Sequence, residues 1–212
     1  MSLTSAINLL CDAALSLVYP QACAACGVGS VEARADAPAC AACWAGTRVF
    51  TGRETLCWKC GAPAPGEVPE SERAGVRCRR CEAEGFTAAR ACGLYEGALR
   101  AAVLELKREP FVSARLARLL AEARERKPLD EWSLVRVAGS VRHRAGMDAR
   151  GRRETVEEAF AVARPRLVRG ERVLLIDDVF TTGATASACA AALRAAGARE
   201  VYVLTLARAG PR

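Results

Sequence analysis

The sequence predicts an α/β chain in two parts: a small cysteine-rich, zinc-binding segment, then a domain built on a parallel sheet. Three observations carry that prediction. Eight cysteines fall in four Cys-x-x-Cys pairs before residue 82. An apolar run, "VLLI" at 173–176, ends abruptly in Asp177 and Asp178 and then in Thr181-Thr182-Gly183. Beyond that turn an Ala-rich stretch of helical length leads into a second apolar run, the strand–helix–strand order of a parallel unit.

Composition sets the bounds. A chain of 212 residues has room for one ordinary domain plus a smaller one, and an apolar fraction of 51% can fill a core. Residues 1–19 alternate apolar and small residues at helical spacing and predict an amphipathic helix ending before Pro20. No Lys or Arg precedes its apolar residues and Asp12 interrupts it, unlike a secretory signal. No apolar run approaches the roughly 18–20 residues of a membrane span, so a cytoplasmic protein is expected. The net charge of +7 is uneven: nine Lys/Arg meet nine Asp/Glu in 1–92, and 22 meet 15 in 93–212. An anionic partner, either a phosphate-bearing small molecule or nucleic acid, is one reading of the basic half. Solvated Arg-rich helix faces are the plainer one.

The cysteine pairs are Cys23/Cys26, Cys40/Cys43, Cys57/Cys60 and Cys78/Cys81. Two thiolates in one knuckle point at one place, which suits tetrahedral Zn²⁺ better than a disulfide, and redox pairs usually come singly. "CAACG" with "CAAC" and "CWKCG" with "CRRC" repeat one pattern, a Gly following the first pair each time, where the knuckle can require positive φ. The repeat pairs 23/26 with 40/43 and 57/60 with 78/81. A crossed pairing, first with third and second with fourth, is the alternative. Such sites are structural, with no coordination position left for substrate, and metal binding supplies much of the segment's folding free energy. Cys11 and Cys189 read as ordinary buried cysteines. Trp44 and Trp58 flank knuckles, where covering the metal is the simpler role and stacking nucleobases the sharper one.

The elements follow in order. The cysteine region runs over 20–88, with a loose loop at 62–75. A short strand and turn are expected at 89–97, then helices at 97–107 and 112–127, the latter with Leu116, Leu119 and Leu120 as its apolar stripe. "WSLVRVA" at 132–138 alternates like a strand. A basic stretch at 141–153 carries Arg142, Arg144, Arg150, Arg152 and Arg153. Residues 172–177 make a strand, 184–196 a helix closed by Gly197, and 200–207 another strand.

In an open parallel sheet, ligands sit beyond the carboxyl ends of strands. Asp177 and Asp178 lie at that edge, and Thr181, Thr182, Gly183, Ala184 and Thr185 form the turn into the helix. Free backbone N–H groups and the helix dipole there suit a phosphate. The two carboxylates suit vicinal sugar hydroxyls or a Mg²⁺ ion. A ribose 5-phosphate satisfies both at once. Neither GxxxxGK[ST] nor GxGxxG occurs; the bland alternative is an acidic cap followed by a polar turn.

"VLLIDDVFTTGAT" resembles the phosphoribosyl pyrophosphate (PRPP) motif of type I phosphoribosyltransferases. Together with the double zinc-ribbon start, "LYEGALRAAVLELKRE" at 94–109 and "ETVEEAFAV" at 154–162, the chain resembles the ComF family of competence-associated proteins. The resemblance implies a phosphoribosyltransferase-like domain over 89–212. In it Asp177 and Asp178 hold the ribose hydroxyls and Mg²⁺, and Thr181 to Thr185 hold the 5-phosphate. The family's Val-Pro-Val-Pro strand and Arg-Gly-Phe-Asn-Gln-like segment are degraded here to "LVRVAGSVRHRAGMDA", and a helix and strand are missing, which puts turnover in doubt more than binding. His143, the one histidine, is the sole imidazole for general-base work. The expected activities are therefore PRPP binding with phosphoribosyl transfer, single-stranded DNA handling linked to DNA uptake, or PRPP sensing without turnover.

Overall fold

The computed structural model describes residues 21–31, 38–108, 130, 132–137 and 159–210. The expected helices at 1–19 and 112–127, the basic stretch at 141–153 with His143, and Cys11 lie outside the described residues.

A parallel sheet organises the second part. Strands β1 (Ala88–Leu94), β4 (Arg172–Phe180) and β5 (Glu200–Arg208) form it in the order β1-β5-β4, both pairings parallel. Helix α3 (Ala184–Ala195) makes the crossover from β4 to β5, as the sequence predicts. The strand that holds the apolar run over 173–176 continues two residues past the carboxylates, through Val179 and Phe180, so Asp177 and Asp178 are the sixth and seventh residues of a nine-residue strand. Strand β5 is central, and its odd-numbered residues Val201, Val203, Thr205 and Ala207 are all buried, the period-two pattern of a strand covered on one face. A second sheet pairs β2 (Leu134–Arg136) with β3 (Phe160–Val162) in antiparallel fashion. The expected strand at 132–138 is thus three residues long, and its partner carries no comparable run of alternation.

A short helix, α1 (Ala41–Ala45), lies in the cysteine segment, and helix α2 (Gly97–Arg108) follows β1 and buries Ala98, Leu99, Ala101 and Val103. Its start is fixed by Thr47, whose Oγ1 accepts from the Ala98 amide at 2.9 Å while its hydroxyl donates to the Cys43 carbonyl at 2.7 Å. A threonine far away in sequence supplies the cap that Ser, Thr, Asp or Asn usually supplies locally.

The core does not break between the cysteine segment and the sheet. Cys57, Cys60 and Cys81 lie in one buried cluster with Phe86, Ala89, Phe180, Ala190, Leu193, Val201 and Val203. Main-chain bonds run along β1 as well: Phe50 N–H donates to the Cys92 carbonyl, Leu94 N–H to Arg48 and Ala89 N–H to Lys59, at 2.7, 2.9 and 2.7 Å. Gly61 makes this approach possible, because a Cβ there would stand 2.8 Å from the Ala89 oxygen. Gly27 and Gly61, the residues after the first pair of each repeat, have φ of 72° and 70°, as the knuckle pattern predicts.

Candidate functional site

The cysteines assemble in sequential sets. The sulfurs of Cys23, Cys26, Cys40 and Cys43 lie within 4.8 Å of one another, and so do those of Cys57, Cys60, Cys78 and Cys81. The crossed pairing is excluded. Cys57 and Cys81 stand 3.6 Å apart, Cys60 and Cys78 3.5 Å, and Cys23 and Cys43 3.7 Å. Thiolates about 2.3 Å from a tetrahedral Zn²⁺ stand about 3.8 Å apart, so both sets fit the ion. Backbone amides prepare the charge: Cys40 N–H donates to Cys23 Sγ at 3.2 Å and Cys78 N–H to Cys57 Sγ at 3.3 Å. The Cys40 amide pulls the Cys23 thiol down to about 6 against desolvation. Burial works to raise the Cys57 thiol, but the amides of Cys60 and Cys78 outweigh it and bring it down to about 6.

The tryptophans have different surroundings. Trp44 is half-buried against Cys23, Cys40 and Ala98 on one side and Leu99 and Val103 on the other. Trp58 is 46% exposed, with the Arg90 guanidinium 5.0 Å from its ring. Trp44 therefore covers its knuckle, while Trp58 stays partly exposed against the Arg90 guanidinium.

At the end of β4 the predicted residues are contiguous in space. Asp178 N–H donates to Asp177 Oδ1 at 2.9 Å, and four residues separate Asp178 from Gly183–Thr185 at the start of α3. Gly183 is the N-cap residue of that helix, at φ 87°, and offers no side chain of its own to the first turn. The Ala184 amide reaches Thr182 Oγ1 at 3.3 Å. Thr181, Thr182 and Thr185 are exposed.

Two cations act on the site that the motif alone does not name, Lys107 by contact and Arg136 only through its charge. Lys107, in the last turn of α2, places Nζ 3.0 Å from Asp178 Oδ2. Its ammonium pKa is raised, first by that hydrogen bond. Burial raises the Asp177 carboxyl and the Asp178 charge adds to this, while the hydrogen bond from the Asp178 amide opposes it first and the charges of Lys107 and then Arg136 of β2 after it. Lys107 had a signal in the sequence, the Leu-Lys ending of "LYEGALRAAVLELKRE"; Arg136 had none. Behind them, burial pushes the Cys189 thiol up to about 12, with the Asp177 charge adding to it. Cys189 is an inert core residue, as its Ala-rich helix predicts.

The metal centres and the sheet define a class: a double zinc ribbon joined to a parallel α/β unit that carries an acidic strand end and a Thr-Gly turn. Residues 14–82 match the family model described as "Double zinc ribbon domain". The chain is 36% identical over 88 residues to "Competence protein F" of Haemophilus influenzae, a match covering 38% of this chain and 37% of that one. No solved structure matches the chain. The ribbon and the similarity to competence protein F support assignment to the ComF family. Among the described residues no helix is long and apolar enough to cross a membrane.

Proposed function

We propose that residues 89–212 form a phosphoribosyltransferase-like domain that binds PRPP at the end of β4, in a cytoplasmic protein serving DNA uptake. The observation that carries the reading is the adjacency of Asp177, Asp178 and the Thr-Gly turn, with Lys107 paired to Asp178. In this reading the α3 amides and the hydroxyls of Thr181, Thr182 and Thr185 hold the 5-phosphate. Asp177 and Asp178 accept from the ribose hydroxyls, and a Mg²⁺ ion supplies charge neutralisation for the pyrophosphate. Lys107 exchanges its carboxylate partner for a ligand phosphate, and Arg136 holds the field at Asp177. Phosphoribosyl transfer is the activity such a site would serve, with pyrophosphate as leaving group. The zinc ions are structural: they hold the ribbon that abuts β1 and β5.

Titration calorimetry of the zinc-loaded protein with PRPP, with and without Mg²⁺, tests this directly. Mg²⁺-dependent binding lost in Asp177→Asn supports it; no heat at millimolar PRPP defeats it. A second reading, a single-stranded-DNA accessory, is favoured by one observation, the half-exposed Trp58 ring with the Arg90 guanidinium 5.0 Å from it. It predicts DNA binding that weakens steeply with salt and survives Asp177→Asn.

A further inference from the structure

We propose that Arg208 is a positioning residue joining the second tetracysteine site to the phosphate loop, so that metal held by Cys57, Cys60, Cys78 and Cys81 sets the geometry of residues 180–185. The role given to the loop rests on the PRPP reading; the mechanical link does not.

Arg208 closes β5 and is half-buried. One guanidinium nitrogen donates to the Cys60 carbonyl at 2.6 Å, and the other lies 3.8 Å from Cys60 Sγ. The same guanidinium sits 4.7 Å from the centroid of the Phe180 ring. Phe180 ends β4 as the register partner of Arg208, and its carbonyl accepts from the Ala209 amide at 3.0 Å. Its ring also meets Phe86 edge-on, with centroids 5.8 Å apart. On the loop side, a Cβ on Gly183 would stand 2.8 Å from Phe180 Cζ. The ring therefore limits how the turn into α3 can sit, and the guanidinium fixes the ring from the metal side.

Charge gives the link its direction. Four thiolates around a divalent cation carry a net charge of about −2, and the Arg208 cation lies against one of them. With the metal in place the guanidinium has an anionic partner and a carbonyl to hold it flat on Phe180. Without the metal the four sulfurs are no longer gathered on one ion, and the guanidinium loses that fixed partner. Arginine suits the task because a planar guanidinium stacks on a ring while its N–H edge reaches elsewhere, which an ammonium cannot do.

The test uses the full chain with cadmium in both sites, read by cadmium NMR, and amide hydrogen exchange over 180–185. In Arg208→Lys the second-site resonance is expected to move while the first-site resonance stays. Exchange over 180–185 should quicken about tenfold, the scale of one lost hydrogen bond to a charged group, at unchanged metal content. Phe180→Leu keeps the Arg208–Cys60 contact and removes the ring; it should quicken the same exchange, and it carries the test if Arg208→Lys does not fold. Wild-type exchange in either folded variant overturns the proposal, as does an unmoved second-site resonance in Arg208→Lys. Adding PRPP with Mg²⁺ should shift the second-site resonance of the wild type and not that of Arg208→Lys. Absence of PRPP binding by calorimetry counts against the proposed function alone, because the first arms contain no ligand. PRPP binding that leaves the resonance unmoved counts against the link.

Discussion

Lys107 Nζ lies 3.0 Å from Asp178 Oδ2, bringing the end of α2 onto the end of β4. The side chains are 52% and 33% exposed, so the pair is worth at most about 1 kcal/mol to the fold. Its position beside a paired-carboxylate turn matters more than its strength. Lys107→Met is expected to leave the urea midpoint nearly unchanged and to weaken PRPP binding about tenfold, the scale of a lost charge-assisted hydrogen bond. An unchanged Kd would reduce Lys107 to a surface ion pair.

Asp177 carries a pH signature. Its folded-state pKa is raised, chiefly by burial, so the folded chain holds the proton more tightly than the unfolded chain. Stability from this group is fully present below the unfolded value of about 3.9 and is lost as pH rises through the folded value. Asp177→Asn should therefore raise Tm at pH 7, with the gain fading toward pH 4, while abolishing PRPP binding. A Tm at pH 7 at or below that of the wild type would contradict the sign.

Gly183 is constrained twice, by φ of 87° and by the Phe180 ring. Gly183→Ala should cost about 1–3 kcal/mol in chemical denaturation, the range for a non-glycine residue forced into a sparsely populated region. A cost below the error of the measurement would show that loop and ring give way together.

Thr47 is a buried cap for α2. Thr47→Val removes the acceptor at nearly constant volume, and a loss of about 1–2 kcal/mol is expected. Hydrogen exchange should quicken first in the opening turn of α2; uniform quickening through the sheet would point to a packing defect instead.

The two metal centres should respond differently to loss of a ligand. Cys57, Cys60 and Cys81 share the main core, whereas Cys23 and Cys40 cluster with Ala39 and Ala98. Cys57→Ser is expected to halve the zinc content and unfold the sheet. Cys26→Ser, at an exposed ligand, should loosen its metal with the sheet intact by circular dichroism.

Much of this was legible in the sequence because the signals are local. Cysteine spacing and the glycines after Cys26 and Cys60 define the knuckles within a few residues. The run into Asp177 and Asp178, the turn through Gly183 and the Ala-rich stretch mark β4 and α3 by period and turn chemistry. What stayed hidden depends on closure of the chain. The Lys107 ammonium meets Asp178 only once α2 has docked, and Arg136, stacked on Phe160, acts on Asp177 only through its charge. Thr47 caps a helix that begins fifty residues later, and Arg208 looks like any strand-end arginine until Cys60 and Phe180 meet it. The shared core at 57–60 is likewise a tertiary fact, since composition alone suggests a self-contained metal module before residue 89.

Strand β1 stands at the margin of the three-stranded sheet, and its outer row of peptide groups is occupied by Arg48, Phe50 and Lys59. The cysteine segment is thus a guard on an otherwise sticky border, where bare N–H and C=O groups would template pairing with another chain. Holding the guard in place depends on metal. A cell short of zinc would accumulate copies that recruit one another along this border, so metal supply would set the protein's solubility before it set its affinity for any ligand.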